Sequence, residues 1–305
     1  MLIKVSKDLK KQQIWATGVE LASIMGKDRV KGQRVITYPE NKKLLVAEFK
    51  NPVLMTDTYQ IWKQPPTLRD TLFALYSSKP RYVEYDGVQT YWDQTHVNVW
   101  CPSIDTILMA KAVGKILKNN KTIKTAVEIG CGSGFISKYI LAKGKNLKSM
   151  LINDINPYAI KSAKDNIKDK RAKYYVGNGI KKIQNKKFDL IICNPPYVPR
   201  PNSIDDNPYE GTGLLRYLLH EGAKHLTSNG VLVTNISNLC ENLVLDEKPS
   251  MKMRKVESMK VPLKVNNILN NPNWVNYLLQ KQGLQKKMVR GYEYWQRIDI
   301  VALNQ

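Results

Sequence analysis

From residue 104 onward, short apolar runs of strand length alternate with segments of helical length, and this alternation constrains the fold more than any other property of the chain. It predicts helices over 104–117, 134–142, 157–167 and 212–226, and strands over 124–129, 148–153, 173–176, 188–193 and 230–236. Strands joined through helices of that length need a crossover each time, which gives a parallel sheet covered on both faces. Beyond 236 the order weakens. Residues 241–264 are basic and interrupted by Pro249 and Pro262, and within them 248–264, with six basic residues and one acidic, read as a solvated charged insertion, the alternative being a segment that reaches round to RNA. A helix over 273–282 and a final alternating strand over 292–303 follow. The expected fold is α/β, a doubly wound, mostly parallel sheet over residues 96–305.

Residues 1–95 read differently. A helix is expected over 7–25 and a hairpin from 33–38 and 44–49 around Pro39-Glu40-Asn41. Pro65-Pro66 marks an irregular connection, 68–76 suits a short helix, and 81–91 is extended around Asp86-Gly87. This is a small α+β appendage, expected to serve in substrate docking.

Composition narrows the function classes. No run of about 18 apolar residues occurs, and the amino-terminal residues lack the apolar stretch of a signal peptide, so a cytoplasmic protein with no membrane span is expected. Four scattered cysteines without Cys-x-x-Cys spacing and three histidines argue against a disulfide scaffold and against a metal site. His220 and His225 on one predicted helix, and Cys131 and Cys193 beside motif residues, read as packing groups. The net charge of +22 invites a nucleic-acid partner. However, the excess is Lys, with only 10 Arg, whereas Arg is the residue enriched where phosphate or base edges are read in a fixed geometry. Most of the excess, +17, falls in residues 96–305.

In a doubly wound sheet the ligand sits beyond the carboxyl ends of the strands, so the loops that follow strands are the places to seek chemistry. The first is Glu128-Ile129-Gly130-Cys131-Gly132-Ser133-Gly134, where alternate glycines permit a tight turn and close approach to a ligand at a helix amino end. The spacing matches neither the dinucleotide fingerprint nor a phosphate loop. The second strand ends at Asp154, whose carboxylate can accept from a ribose diol or cap the next helix. After the third strand, Asn178 can pair with an adenine edge or simply make an Asn-Gly turn.

The most specific signal is Asn194-Pro195-Pro196-Tyr197, which ends an apolar strand abruptly. Consecutive prolines fix a rigid extended corner. Such a corner suits methyl transfer to a planar NH2 group, whose two N–H bonds need fixed acceptors while the nitrogen pyramidalises. The Asn194 side-chain carbonyl and the Pro195 backbone carbonyl can be those acceptors, and Tyr197 can stack on the acceptor plane.

These segments, in this order and spacing, resemble the class I S-adenosylmethionine-dependent methyltransferases, and within them the HemK-like group that methylates glutamine side chains. The resemblance extends upstream to Pro102-Ser103-Ile104-Asp105-Thr106 and downstream to Gly213-Leu214-Leu215-Arg216 and residues 226–233, covering roughly 97–240. It implies a seven-stranded Rossmann-like sheet and S-adenosylmethionine as cofactor. By the resemblance, Glu128, Gly130, Gly132 and Gly134 form the cofactor loop, Asp154 holds the ribose and Asn178 lies beside adenine, with Asn194 also at the cofactor. Asn194, Pro195, Pro196 and Tyr197 then form the catalytic corner, while Pro102, Asp105, Thr106 and Tyr197 meet the substrate.

The acceptor is the open question. The same corner serves adenine-N6 and some guanine-N2 methyltransferases, so an RNA or DNA base is the alternative acceptor, and a non-catalytic RNA- or partner-binding module on a degenerate fold is a third reading. Around the corner, residues 198–215 hold Arg200 against Asp205, Asp206 and Glu210. The Lys clusters at 118–124, 143–148, 164–173 and 181–187 fall on helices or on loops leading into strands, away from the expected active edge. A nucleic-acid methyltransferase would place positive charge around its target pocket. A protein substrate is therefore expected.

Overall fold

The structure, a computed structural model, describes residues 2–5, 34–37, 44–47, 81–92, 99–100, 102–202, 211–246, 249–263, 266–269, 271–289 and 292–304. Near the amino terminus, β1 (Leu2–Val5), β2 (Arg34–Thr37), β3 (Leu44–Ala47), β4 (Arg81–Tyr85) and β5 (Val88–Trp92) form one sheet in the order β3-β2-β1-β4-β5. The expected pairing of β2 with β3 is antiparallel, Arg34 facing Ala47. Its tip at Pro39-Glu40-Asn41 and the helices expected over 7–25 and 68–76 lie outside the described residues. The short β1 was not expected; it pairs parallel to β4. β4 and β5 turn at Asp86 and Gly87, whose φ of 51° and 77° are the paired left-handed positions of the tightest hairpin turn, for which Asp-Gly is suited.

The rest of the chain runs α1 (Ile104–Asn119), β6 (Thr125–Ile129), α2 (Phe135–Lys143), β7 (Ser149–Asp154), α3 (Pro157–Asn166), β8 (Ala172–Val176), α4 (Gly179–Ile183), β9 (Phe188–Cys193) and α5 (Gly213–Glu221). A 3-10 turn over Gly222–His225 leads to β10 (Leu226–Ser237), α6 (Glu241–Val244), β11 (Lys252–Pro262), α7 (Asn266–Leu269), α8 (Pro272–Lys281), β12 (Gln285–Val289) and β13 (Tyr292–Asn304). The second sheet has the order β11-β13-β10-β9-β6-β7-β8, with β12 paired to β13. β7, β6, β9 and β10 run parallel, as does β8 beside β7, while β13 enters antiparallel between β10 and β11. The fold is α/β with a mostly parallel central sheet and flanking helices.

Three expectations need correction. The sheet holds eight strands among the described residues where seven were expected, because β12 folds back on the start of β13 in a hairpin. Residues 252–262, read as part of a solvated insertion, form the edge strand β11, which pairs with β13 along nearly its whole length. Charged residues at an edge strand disfavour pairing with another molecule while leaving the ladder on the inner side intact. The helix expected over 212–226 also ends early, at Glu221.

The chain reverses direction across the sheet between β6 and β9, going outward through β7 and β8 and returning beside β6. A crevice therefore opens past the carboxyl ends of those two central strands, the switch point where ligands bind in such sheets. The hairpin β4–β5 braces this architecture from outside. Val83, Tyr85, Val88 and Trp92 are buried in the same apolar cluster as Phe135, Tyr139 and Ile160. Asn166, at the end of α3, accepts from the Tyr91 amide at 2.7 Å and donates to the carbonyls of Tyr91 at 2.9 Å and Ser133 at 3.1 Å. One side chain thus ties the hairpin to the glycine-rich turn.

Candidate functional site

The turn after β6 is built from three glycines in the left-handed region, Gly130, Gly132 and Gly134, with φ of 74°, 51° and 81°. Any other residue would be strained there. The backbone amides of Gly130 and Cys131 both donate to the Asn153 carbonyl at 2.9 Å, which pins the turn to the end of β7. A side chain on Gly130 would meet nothing within 4 Å, whereas one on Gly134 would come within 2.9 Å of Ala163 in α3. The first glycine therefore leaves open space, and the third lets two helices approach.

Two carboxylates are buried beside this turn. Asp154 accepts from the amides of Gly132 at 3.0 Å and Asn156 at 2.9 Å. Burial raises its pKa, and the hydrogen bonds from Asn156 and Gly132 oppose that rise. Glu128 is 1% exposed and accepts from the Ser137 hydroxyl. Burial pushes its pKa up to about 8, against the hydrogen bonds from Ser137 and with a further upward push from Asp154. Cys131 and Cys193 are buried with their thiols pushed far up, first by burial and then by Glu128 and Asp154, so neither is a thiolate nucleophile.

At the end of β9, the Asn194 Nδ2 donates to Asp105 Oδ2 at 3.2 Å. The Asp105 Oδ1 accepts from the Ser103 hydroxyl and from the Thr106 amide at 2.9 Å. This fixes which end of the Asn194 amide faces where. Its Oδ1 is buried and meets no donor among the described residues, and a buried acceptor without a partner costs about 1–3 kcal/mol. Tyr197 is reached by the Asp105 carboxylate and the Gln296 amide, and burial followed by the Asp105 charge raises its pKa far above the ordinary value. The Gln296 Oε1 in turn accepts from the Ser237 hydroxyl at 2.7 Å. The Thr106 hydroxyl is spent on the start of α1, accepting from the Ser103 amide at 3.2 Å.

These groups line one cavity of about 870 Å³ at the switch point, large enough for a nucleoside and an acceptor together. Of the expected residues, Glu128, Gly130, Gly132, Asp154, Asn178, Asn194, Pro195, Pro196, Tyr197, Pro102, Asp105 and Thr106 all line it. Gly134 does not: it stands behind the wall, where it closes α2 against α3. Asn178 spends its side-chain carbonyl capping α4, accepting from the Lys181 amide at 3.1 Å, which leaves its NH2 end for a ligand.

Sequence reading missed the part of the wall that adjoins the corner. Val261 and Pro262 of β11, Ile268 of α7, Trp274 of α8, and Gln296 and Ile298 of β13 also line the cavity. Trp274 donates its indole N–H to the Pro199 carbonyl at 2.8 Å, joining that wall to the corner. The signal available was the apolar set Leu263, Ile268, Trp274 and Leu278, which the structure gathers into a small core of its own. No cluster of three His, Cys, Asp or Glu side chains among the described residues is placed to hold a metal ion. No helix of the described residues is long and apolar enough to cross a membrane.

Comparison with known proteins adds a family. The profile of the methyltransferase small domain matches residues 106–260. The chain is similar to a release factor glutamine methyltransferase of Aquifex aeolicus, 27% identical over 179 residues that make up 53% of this chain and 63% of the relative. It is also similar to a Methanocaldococcus jannaschii protein named as a protein N5-glutamine methyltransferase, 30% identical over 192 residues, 59% of this chain and 89% of the relative. The chain thus spans less than two thirds of the Aquifex relative, at 63%. Among solved structures, the precorrin-6y C5,15-methyltransferase of Geobacter metallireducens aligns over 64% of this chain and 89% of its own, with 13% identity and a TM-score of 0.39.

Proposed function

The chain belongs to the methyltransferase small domain family, in its HemK-like group, and on that premise we propose that it transfers a methyl group from S-adenosylmethionine to the side-chain amide nitrogen of a glutamine in a protein. The observation that carries the reading is the buried Asn194 Oδ1 beside a Pro-Pro corner, an acceptor held ready for an N–H that none of the described residues supplies.

The cavity suits the cofactor. Glycine backbone at 130–132 permits close approach, Asp154 would hold the ribose, the NH2 end of Asn178 would meet the adenine, and Glu128 lines the same wall. When bound, S-adenosylmethionine supplies an electrophilic methyl group on a sulfonium that leaves as a neutral thioether. The chain's own residues do the rest. Asn194 Oδ1 and the Pro195 carbonyl accept the two N–H bonds of the incoming amide and turn its lone pair toward the methyl group. Asp105 holds Asn194 against rotation, so the acceptor is in place before the substrate arrives. Tyr197, anchored at its hydroxyl, offers a fixed face to the amide plane. One N–H proton is then lost to solvent, and no strong base is required.

A protein acceptor is supported by the names of both relatives and by the acidic residues Asp205, Asp206 and Glu210 following the corner, which lie outside the described residues. The sheet β1–β3 is proposed as the accessory docking element of residues 1–95. The test uses methyl-labelled cofactor with whole-cell lysate, followed by nuclease or protease. Label released by protease and carried on glutamine supports the reading; label removed by nuclease and resistant to protease overturns it in favour of a base nitrogen.

A further inference from the structure

The four loops that lead into adjacent strands β9, β6, β7 and β8 are residues 184–187, 120–124, 144–148 and 167–171, and they all lie at the amino-terminal edge of the parallel sheet. Together they hold nine basic residues and one acidic residue, Asp169. That one is taken: Asp169 pairs with Arg171 at 2.6 Å. Of the loops at the opposite edge, 130–134, 155–156 and 177–178 contain no charged residue, and the sequence after β9, 194–212, holds one basic residue, Arg200, against Asp205, Asp206 and Glu210. Coding bias toward Lys would raise the charge everywhere, and does not explain a molecule whose two sheet edges differ this much.

The basic loops form one rigid surface. The Asn146 side chain donates to the Lys121 carbonyl at 2.7 Å, the Lys148 amide to the Lys124 carbonyl at 2.7 Å, and the Met150 amide to the Arg171 carbonyl at 2.9 Å. The Lys124 amide donates to Asp189 at 2.9 Å, which joins the fourth loop through β9. Lys121, Lys124, Lys145, Lys148, Lys170 and Lys187 are exposed, and none forms an ion pair with a carboxylate among the described residues. A second cavity, about 440 Å³, opens on this edge between α1 and α2 and is lined by Lys118, Lys121 and Lys145. Its other lysines are neutralised, Lys111 and Lys115 by Glu257 and Lys143 by Asp86.

We propose that this edge is a docking surface for the phosphodiester backbone of a nucleic acid, which anchors the protein from the side opposite its catalytic cavity. Four neighbouring strands at about 4.8 Å spacing give a face roughly 14 Å wide, enough for several phosphates. Lys meets phosphate as a point charge without a fixed geometry, which fits contact with backbone charge and not the reading of base edges. An anionic membrane fits less well, since Ile123, Leu147 and Ile167, the branched apolar residues of these loops, are all buried and leave nothing to insert. The inference does not depend on which acceptor is methylated, because the surface and the catalytic cavity are at opposite ends of the strands.

The test is fluorescence anisotropy with labelled RNA and DNA strands of about 20 nucleotides at about 50–200 mM salt. The full-length protein is compared with the variant K121E/K145E/K170E/K187E and with a charge-matched control, K161E/K252E/K260E/K281E. The edge variant is expected to bind at least tenfold more weakly and to lose about three from the slope of log affinity against log salt, at about 0.7 per phosphate contact. S-adenosylmethionine binding by calorimetry stays unchanged in it, which also shows that it folds. Binding of either strand type with this pattern supports the proposal. No binding by the unaltered protein, equal weakening in the control, or binding to vesicles of anionic lipid in place of either strand overturns it.

Discussion

At the scale of single residues, the account turns on which atoms are left without partners and which are held in place. Asp105 does not need to touch the acceptor: it positions Asn194 through Nδ2 and Tyr197 through its hydroxyl. Asp105→Ala frees the Asn194 amide to rotate, and about 10–100-fold in kcat is expected to be lost while cofactor affinity holds, a split that a general loss of stability would not produce. Glu128 gives a pH signature. Its folded pKa, about 8, lies above the ordinary carboxylate value. The neutral form therefore supports the fold below that ordinary value, and this contribution is lost as pH rises toward and through about 8. Glu128→Gln should flatten the dependence of Tm on pH between about 5 and 8.5, with the wild type falling relative to the variant as pH rises. Parallel melting curves across that range would contradict the assignment. These residue roles were only partly legible: the Asn-Pro-Pro-Tyr corner announces an acceptor by its chemistry, but Gln296 and Ser237, which complete the Tyr197 network, lie some 60 residues apart in sequence and carry no local pattern.

At the scale of elements, the glycine-rich turn and the loops around it are held by a few specific contacts. Gly134 combines a φ of 81° with a space that a methyl group cannot occupy without moving Ala163. Gly134→Ala is expected to destabilise the protein by about 2–3 kcal/mol, seen as a shift of the denaturation midpoint. Arg171 acts on the helix end behind that turn. Its guanidinium donates to the carbonyls of Leu141 at 2.6 Å, Gly144 at 3.2 Å and Leu147 at 3.3 Å while Asp169 holds it in the plane. Arg171→Ala leaves those carbonyls without their donor and should cost about 1.5–3 kcal/mol, whereas Lys at this position restores only part. The alternating elements from α1 to β10, apart from the five-residue α4, were readable because short apolar runs alternate with segments of helical length. Strand β11 was not, because its outer residues are charged and its apolar ones cluster at its carboxyl end; only pairing with β13 makes it a strand.

At the scale of the whole molecule, the two sheets share a core through β4 and β5. Trp92 is 7% exposed and donates its indole N–H to the Val99 carbonyl at 2.8 Å, so it locks the hairpin to the start of the catalytic segment. Trp92→Ala should cost about 3–5 kcal/mol and lower Tm for the whole chain in one transition. A separate early transition with an unchanged main one would instead mark the hairpin as independent. Charge, too, acts at this scale: the loops into β9, β6, β7 and β8 carry nine basic residues at one edge of the sheet and the Asn-Pro-Pro-Tyr corner lies at the other, a polarity that total charge conceals and that emerges only when the loops are placed. The central claim joins the two halves of the catalytic cavity, a cofactor held by the glycine turn with Asp154 and an acceptor amide held by Asn194. It is tested most directly by assaying Asn194→Ala beside the wild type for S-adenosylmethionine binding and for methyl transfer to protein glutamine. The account predicts a cofactor Kd within about threefold and transfer reduced by about 100-fold or more. Transfer that persists within a few fold of the wild type would contradict it.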